Sequence, residues 1–244
     1  MYRHVPLDEP PLPELDCSTC PALSMSEWRV LTPAQVKQLS QAKEVRRYRR
    51  GDSMYRQGDP CKSVYCIHSG TVAIRRTDHH GNAVLLELKQ AGDVMGYRAC
   101  FSRTERHNTA TASDEVIACA LPGPAMFALI NDNPMLGHAF LARLAHELAR
   151  AHDAILTHTQ LPVRARMARL LMRFVERRSL PRSSTEVQIH LPVSRHDLAE
   201  LLAARPETIA RTIAALERDG VATFSGRMAT IANVSQLRDE MDCG

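Results

Sequence analysis

No stretch of the chain approaches the roughly eighteen consecutive apolar residues of a bilayer-crossing helix. The opening residues, MYRHVPLDEPPLPEL, hold no apolar core of the kind a secretory signal needs, so a cytoplasmic protein with no membrane partner is expected. Excess charge is missing too: 31 Lys and Arg against 27 Asp and Glu leave +4 over 244 residues, too little for a general polyelectrolyte binder. One absence is local. Residues 162–244 contain no lysine, and arginine supplies every Lys/Arg-type cation there, which suits bidentate contacts to phosphate and guanine. The seven cysteines, at 17, 20, 61, 66, 100, 119 and 243, are odd in number and scattered. They do not resemble a secreted disulfide framework, and in a reducing compartment they read as packed small residues, metal ligands or redox thiols.

The C-terminal third is the most informative part. Ser194-Arg-His-Asp197 is a capping box that starts a helix at Arg195, with Leu198, Leu201 and Leu202 as its inward stripe. The residue before Pro206 is pushed out of helical conformation, so this helix stops near Ala204. Pro206 then opens a second helix, at the position where its missing N–H costs nothing. Ile209, Ile213 and Leu216 form the buried face of that helix, and Glu207, Ala210 and Arg211 lie opposite, near its N-terminus. At that end of a helix-turn-helix, arginine can donate twice to guanine, glutamate can accept from cytosine, and alanine can offer a methyl to thymine. Residues 221–224, a Ser-Gly turn at 225–226 and residues 227–231 read as strand, hairpin and strand, a wing with Arg227 at its tip as a phosphate contact. Arg205 cannot cap the second helix as serine would and is left free for a phosphate; Ser194 and Arg195 are expected against the DNA backbone. The competing reading is a plain helical hairpin whose Glu207–Arg211 pair is a solvated ion pair.

Upstream, Thr32-Pro33-Ala34-Gln35 is another capping box, opening a helix that runs to about Lys43, while residues 1–16, rich in proline and acid, are expected to be poorly ordered. Between Gly51 and Gly96, six glycines punctuate short runs such as SVYCI and AVLLEL, the pattern of a small antiparallel roll or barrel that resumes at residues 109–112 and 116–121. Asn133-Pro134 starts a long helix in which Leu141, Leu144, Leu148, Ala151 and Ile155 are spaced 3, 4, 3 and 4. That heptad seam predicts pairing with a second copy of the chain. A break at residues 157–162 ends the helix, and residues 162–178 form a further helix whose basic face reads as solvated. A cupin-like barrel enzyme would need a clustered His/Glu set, but His68, His79, His80 and His107 show no H-x-H grouping, so no enzyme is expected.

The order of roll, long helix and winged helix-turn-helix resembles the CRP/FNR superfamily of transcription regulators. The likeness is carried by RGDSMYRQGD (50–59), IHSG (67–70), AGDVMG (91–96) and ETIAR (207–211). It implies an α+β fold in four parts: a cysteine-bearing N-terminal extension (1–27), an antiparallel β-roll sensor domain of the jelly-roll, cyclic-nucleotide-binding-like kind (28–130), a dimerisation helix (131–160) and a winged helix-turn-helix DNA-binding domain (161–244). It also implies a homodimer on a palindromic double-stranded DNA operator, with RNA polymerase as a further partner.

Two branches of the superfamily differ in what they sense. The cyclic-nucleotide branch has a glutamate after the Gly96 position and a downstream Arg-Ser pair; here Tyr97 and His107-Asn108 stand in those places, which argues against cyclic AMP because its phosphate would lack neutralisation. The FNR-like branch holds a [4Fe-4S] cluster on a C-x2-C-x5-C run and one later cysteine. By that resemblance Cys17, Cys20 and Cys119 are ligands, while Ser26 occupies the position of the missing one, and Cys100, Cys61, Asp16 or Glu27 could complete the set. Cys66 and Cys61 read as packed in or beside a strand. The expected signal is redox or gaseous, oxygen or nitric oxide. A cluster-free thiol switch, a haem near Cys100 and His107, and a small-molecule effector that makes Cys17 and Cys20 dispensable remain as alternatives. Ala210 replaces the serine of the branch's E-x-x-S-R motif.

Overall fold

A computed structural model describes residues 12, 14–176 and 186–241. Most of the proline-rich lead, the last two residues of the expected 162–178 helix, and Cys243 lie outside the described residues. The chain divides into two compact units, Met1–Thr77 with Leu88–Ala142 and Asp78–Glu87 with Arg143–Gly244.

Residues 44–122 form short antiparallel strands: β1 (Glu44–Tyr48), β2 (Ser53–Tyr55), β3 (Ser63–Ser69), β4 (Val72–Thr77), β5 (Ala83–Lys89), β6 (Val94–Met95), β7 (Thr109–Ala112) and β8 (Val116–Pro122). They form two four-stranded sheets, ordered β1-β8-β3-β6 and β2-β7-β4-β5. Period-two alternation gives each strand an inner and an outer face. Tyr65 and Ile67 of β3, Val116, Ala118 and Ala120 of β8, and Val72 and Ile74 of β4 meet inside, with Met54 and Tyr55. The expected roll is therefore present.

Helices cover this roll: α1 (Pro21–Met25), α2 (Pro33–Ala42), α3 (Tyr97–Ser102) and α4 (Gly123–Asp132), followed by the long α5 (Pro134–Gln160). The capping box at Thr32 forms as expected, with the Thr32 hydroxyl accepting from the Gln35 N–H and the Gln35 side chain accepting from the Thr32 N–H. Phe140, 1% exposed, is the hub of an aromatic cluster: Trp28, Tyr97 and Phe101 stand 5.4, 5.4 and 5.5 Å from it, centroid to centroid. Helix α5 continues to Gln160, past the break expected at 157, because nothing opposes helix before Pro162.

The second unit contains α6 (Val163–Glu176), β9 (Val187–His190), α7 (Arg195–Leu201), α8 (Pro206–Arg218), β10 (Ala222–Ser225), β11 (Met228–Ile231) and α9 (Val234–Asp239), with a sheet ordered β10-β11-β9. Ser225 pairs with Met228, so Gly226 and Arg227 form the two-residue turn, one position later than the Ser-Gly turn expected. Gly226 adopts φ +59, which this tight hairpin requires and serine would resist. The basic face of α6 is not merely solvated. Arg164 donates to both carboxylate oxygens of Glu240 and to Asp219, each at 2.6 Å, and Arg166 donates to the Leu202 carbonyl.

Gly70 links β3 to β4 at φ +86, and a β-carbon there would fall 2.2 Å from the Glu115 carbonyl oxygen, a backbone atom that cannot swing aside. Gly70→Ala is expected to destabilise the first unit by about 2 kcal/mol or more, from left-handed strain plus the clash; urea unfolding followed by circular dichroism measures it.

Candidate functional site

The cysteines come together through strand register. Residues 64, 66 and 68 of β3 alternate with core residues 65 and 67, and β8 pairs antiparallel so that Cys66 stands opposite Cys119. Both sulfurs consequently leave the sheet on its outer face. The register slips between Ile67 and Ser69, leaving His68 unpaired in a bulge. Cys17 and Cys20, from the segment ahead of α1, join Cys66, His68 and Cys119 around one pocket, with Trp28, Leu39 and Lys43 in its wall. The free space is about 30 Å³, room for a single water.

Contacts within this pocket are specific. Lys43 Nζ lies 3.1 Å from Cys17 Sγ and also donates to the Leu15 carbonyl, while Cys20 Sγ lies 3.4 Å from His68 Nδ1. The Ser26 hydroxyl donates to the Leu23 carbonyl at 3.0 Å. Burial pushes the Cys66 thiol up to about 12, with Cys119 and Cys20 adding to the rise. Burial likewise carries Cys119 to about 11, against the pull of the Lys43 charge. Among the described residues, no three His, Cys, Asp or Glu side chains stand close enough together to hold a single metal ion.

Expected ligands Cys17, Cys20 and Cys119 are thus brought together, and none of the four candidates to complete them lines the pocket. Asp16 is turned outward, with its carboxylate accepting from the Ser18 N–H at 2.9 Å and hydroxyl at 2.6 Å, which holds it below the usual carboxylate range. Cys61 and Cys100 pair with each other elsewhere, sulfur to sulfur at 3.0 Å. Glu27 does not line the pocket wall, though its charge adds to the rise at Cys66. Cys66, read from sequence as packed, lines the pocket instead; only its pairing with a strand 53 positions later reveals this. His107, a suggested haem ligand, has Nε2 3.2 Å from the Thr104 hydroxyl.

The second cluster of expected site residues lies on α7, α8 and the wing. Ser194 Oγ accepts from the Asp197 N–H at 3.1 Å and Asp197 Oδ2 accepts from the Ser194 N–H at 2.7 Å, the reciprocal box read from the sequence. Helix α7 ends at Leu201, earlier than Ala204, since Ala203 takes a left-handed φ of +44. Arg205 makes no side-chain cap. Arg205, Glu207, Ala210 and Arg211 are all exposed, while Ile209, Thr212, Ile213 and Leu216 are buried beneath them. Arg195 is exposed and stacks on Phe224 of the wing, 5.1 Å from its centroid, and Arg227 is half-buried at the hairpin turn.

On α5, Leu141, Leu148 and Ile155 are 64, 59 and 61% exposed, Ala151 is exposed, and Leu144 is half-buried. Such a stripe of apolar side chains facing solvent is unusual for an unpartnered surface. No helix among the described residues is long and apolar enough to cross a membrane.

Inside the roll, the Arg106 guanidinium is 4% exposed. It donates to the Gly96 carbonyl at 2.6 Å and to the Ser63 carbonyl at 2.5 Å, and lies 4.3 Å over the Tyr55 ring. A β-carbon on Gly96 would meet Arg106 Nη1 at 2.4 Å, so glycine is needed for that approach. Tyr97, in the place of the nucleotide branch's glutamate, is 2% exposed and packs on Phe140.

Comparison with known proteins agrees with this architecture. Residues 45–133 match the cyclic nucleotide-binding domain family, and residues 165–240 the Crp-like helix-turn-helix domain family. The chain is 23% identical over 230 residues to the fumarate and nitrate reduction regulatory protein of Vibrio cholerae, covering 92% of this chain and 90% of that protein. To the protein of the same name from Escherichia coli K12 it is 24% identical, covering 91 and 89%. Among solved structures, FixK2 from Bradyrhizobium japonicum superposes with a TM-score of 0.73 at 22% identity, covering 83% of this chain and 98% of that one.

Proposed function

We propose that this chain, which belongs to the CRP/FNR superfamily of DNA-binding transcription regulators, works as a homodimer on a palindromic operator and responds to oxygen or nitric oxide through an iron–sulfur cluster. The superfamily consists of regulators, not enzymes. One observation carries the sensing half of the reading: Cys17, Cys20, Cys66 and Cys119 line a single pocket. The names of the relatives, fumarate and nitrate reduction regulatory proteins, support it.

The donor set fits a [4Fe-4S] group. Cluster irons want thiolates, and the pocket supplies four thiols with the Lys43 ammonium 3.1 Å from one of them to offset their charge. Cys66 is the fourth ligand in this reading. It lines the same pocket as Cys17, Cys20 and Cys119, so the thiol lost from the extension, where Ser26 stands at the position of the family's absent cysteine, is replaced from the neighbouring strand. When bound, the cluster would supply a centre reactive toward oxygen and nitric oxide. Because only about 30 Å³ is free, binding must widen the space between α1 and the sheet.

Trp28 lines that pocket and also stacks edge-on against Phe140 of α5. Asn133 Nδ2, at the head of α5, donates to the Val30 carbonyl and to Gln35 Oε1, each at 3.0 Å. Displacement of the extension is thereby felt at the start of the helix whose Leu141, Leu144, Leu148, Ala151 and Ile155 form the dimer seam. To act as a switch, the signal must stabilise the DNA-competent dimer differentially. On DNA, Glu207 and Arg211 read base edges, with Ala210 between them; Ser194, Arg195, Arg205 and Arg227 position the phosphate backbone.

Three measurements test this reading. Arg211→Ala is expected to weaken specific operator binding by about 1–3 kcal/mol, the worth of a bidentate base contact, in a titration at fixed salt; a loss under about twofold removes the recognition role. Leu148→Glu is expected to shift the sedimenting species from dimer to monomer at micromolar concentration. Protein purified without oxygen should carry about four irons and four acid-labile sulfides per chain, and Cys66→Ala should lose them as Cys17→Ala does. Iron retained in full by Cys66→Ala removes Cys66 as a ligand, and an iron-free wild type that still binds its operator removes the cluster while leaving the regulator.

A further inference from the structure

Cys61 and Cys100 take no part in the pocket that gathers the other four described thiols. Their sulfurs lie 3.0 Å apart, so about 1 Å of movement brings them to bonding distance. Cys61 is half-buried on the loop between β2 and β3, and Cys100, 6% exposed, sits on α3. Both border a cleft of about 490 Å³ that Pro60, Arg103, Thr104 and Phe127 also line. Three elements hold the pair at this separation. Cys61 Sγ reaches the Gly96 carbonyl at the head of α3, at 3.7 Å. Gly123, opening α4, donates its N–H to the Lys62 carbonyl, and a β-carbon there would stand 3.2 Å from Cys100 Sγ.

We propose that Cys61 and Cys100 form a second redox site, a dithiol that hydrogen peroxide converts to a disulfide which a dithiol reductant reopens. The Cys61 sulfur, on the accessible side, attacks one peroxide oxygen as thiolate. The O–O bond breaks, the departing hydroxide takes a proton to become water, and Cys61 is left as a sulfenic acid. The Cys100 sulfur then attacks the Cys61 sulfur, the S–O bond breaks, the second hydroxide leaves with the Cys100 proton as water, and the S–S bond forms. Two electrons from two thiols reduce one peroxide to two waters, and a dithiol reductant reverses the step by exchange. Burial, then the neighbouring Cys61, pushes the Cys100 thiol up to about 12, which makes Cys100 the resolving partner rather than the first to react.

The disulfide would tie α3 to the β2–β3 loop. Helix α3 carries Tyr97 and Phe101, whose rings pack against Phe140, so oxidation perturbs the same aromatic hub that Trp28 touches. Its regulatory meaning rests on the dimer and DNA reading above; the thiol chemistry does not.

The test uses full-length protein, reduced under nitrogen, freed of reductant, treated with a small excess of hydrogen peroxide, alkylated and cut with trypsin. Trypsin places Cys61 in QGDPCK (57–62) and Cys100 in ACFSR (99–103). The expected product is these two peptides cross-linked, with alkylated QGDPCK falling about tenfold and returning on treatment with dithiothreitol. The same link should form in Cys17→Ala/Cys20→Ala protein. Emission of Trp28, the chain's one tryptophan, should change on oxidation of wild type and stay constant in Cys61→Ser. Two peptides that remain alkylated, or that link to other cysteines, overturn the site. A complete link with unchanged Trp28 emission overturns its coupling to α5. Reduced protein that fails to bind DNA counts against the regulator reading alone, since the peptide map needs no DNA.

Discussion

Phe140 is where the first unit is tied together. Its buried ring is met by Trp28 from the segment after α1 and by Tyr97 and Phe101 from α3, and Phe101 in turn packs edge-on to Phe127 of α4. Aromatic contacts of this kind add to burial with a preference for particular ring angles. Through Phe140, the segment after α1 and α3 share a contact with α5.

Both thiol groups connect to this hub. Cys17, Cys20, Cys66 and Cys119 reach it through Trp28, which forms part of their pocket wall. Cys61 and Cys100 reach it through α3. On the proposed chemistry, a cluster-borne signal and a peroxide signal would converge on one helix without sharing a sulfur. The Arg106 guanidinium fills the roll between the Gly96 and Ser63 carbonyls and the Tyr55 ring.

What could be read from the sequence follows the range of the interactions. The boxes at Thr32–Gln35 and Ser194–Asp197 are local hydrogen bonds between residues three apart, and both form as read. The exposed face of α8 follows from helical periodicity, and the roll from glycine-punctuated alternation. Cys66 was invisible because its significance lies in register: the strand pattern gives it an outer face, but nothing local says that Cys119 stands opposite or that the extension lies across both. The Cys61–Cys100 pair depends on a loop, a helix and Gly123 meeting, again a tertiary fact. The small errors, at Ala203 and at the wing turn, arise where backbone φ is positive and one residue shifts an element's end.

The bulge at His68 leaves the sheet with an asymmetry. Ahead of it, β3 and β8 pair without interruption from Ser63 to Ile67; after it, the pairing resumes one residue out of step. The extra residue is absorbed on the far side of Cys66 from the strand's start, so the cysteine pair keeps its alignment and the imidazole is released toward Cys20. In evolutionary terms this makes the site sensitive to length changes inside β3. A single insertion between Ser63 and Cys66 that kept the strand's start in register would turn the Cys66 sulfur into the core, leave the Cys119 sulfur facing outward, and carry Ile67 out of the core as well. The alignment of the two thiols is therefore bound to the same register that builds the interior of the roll.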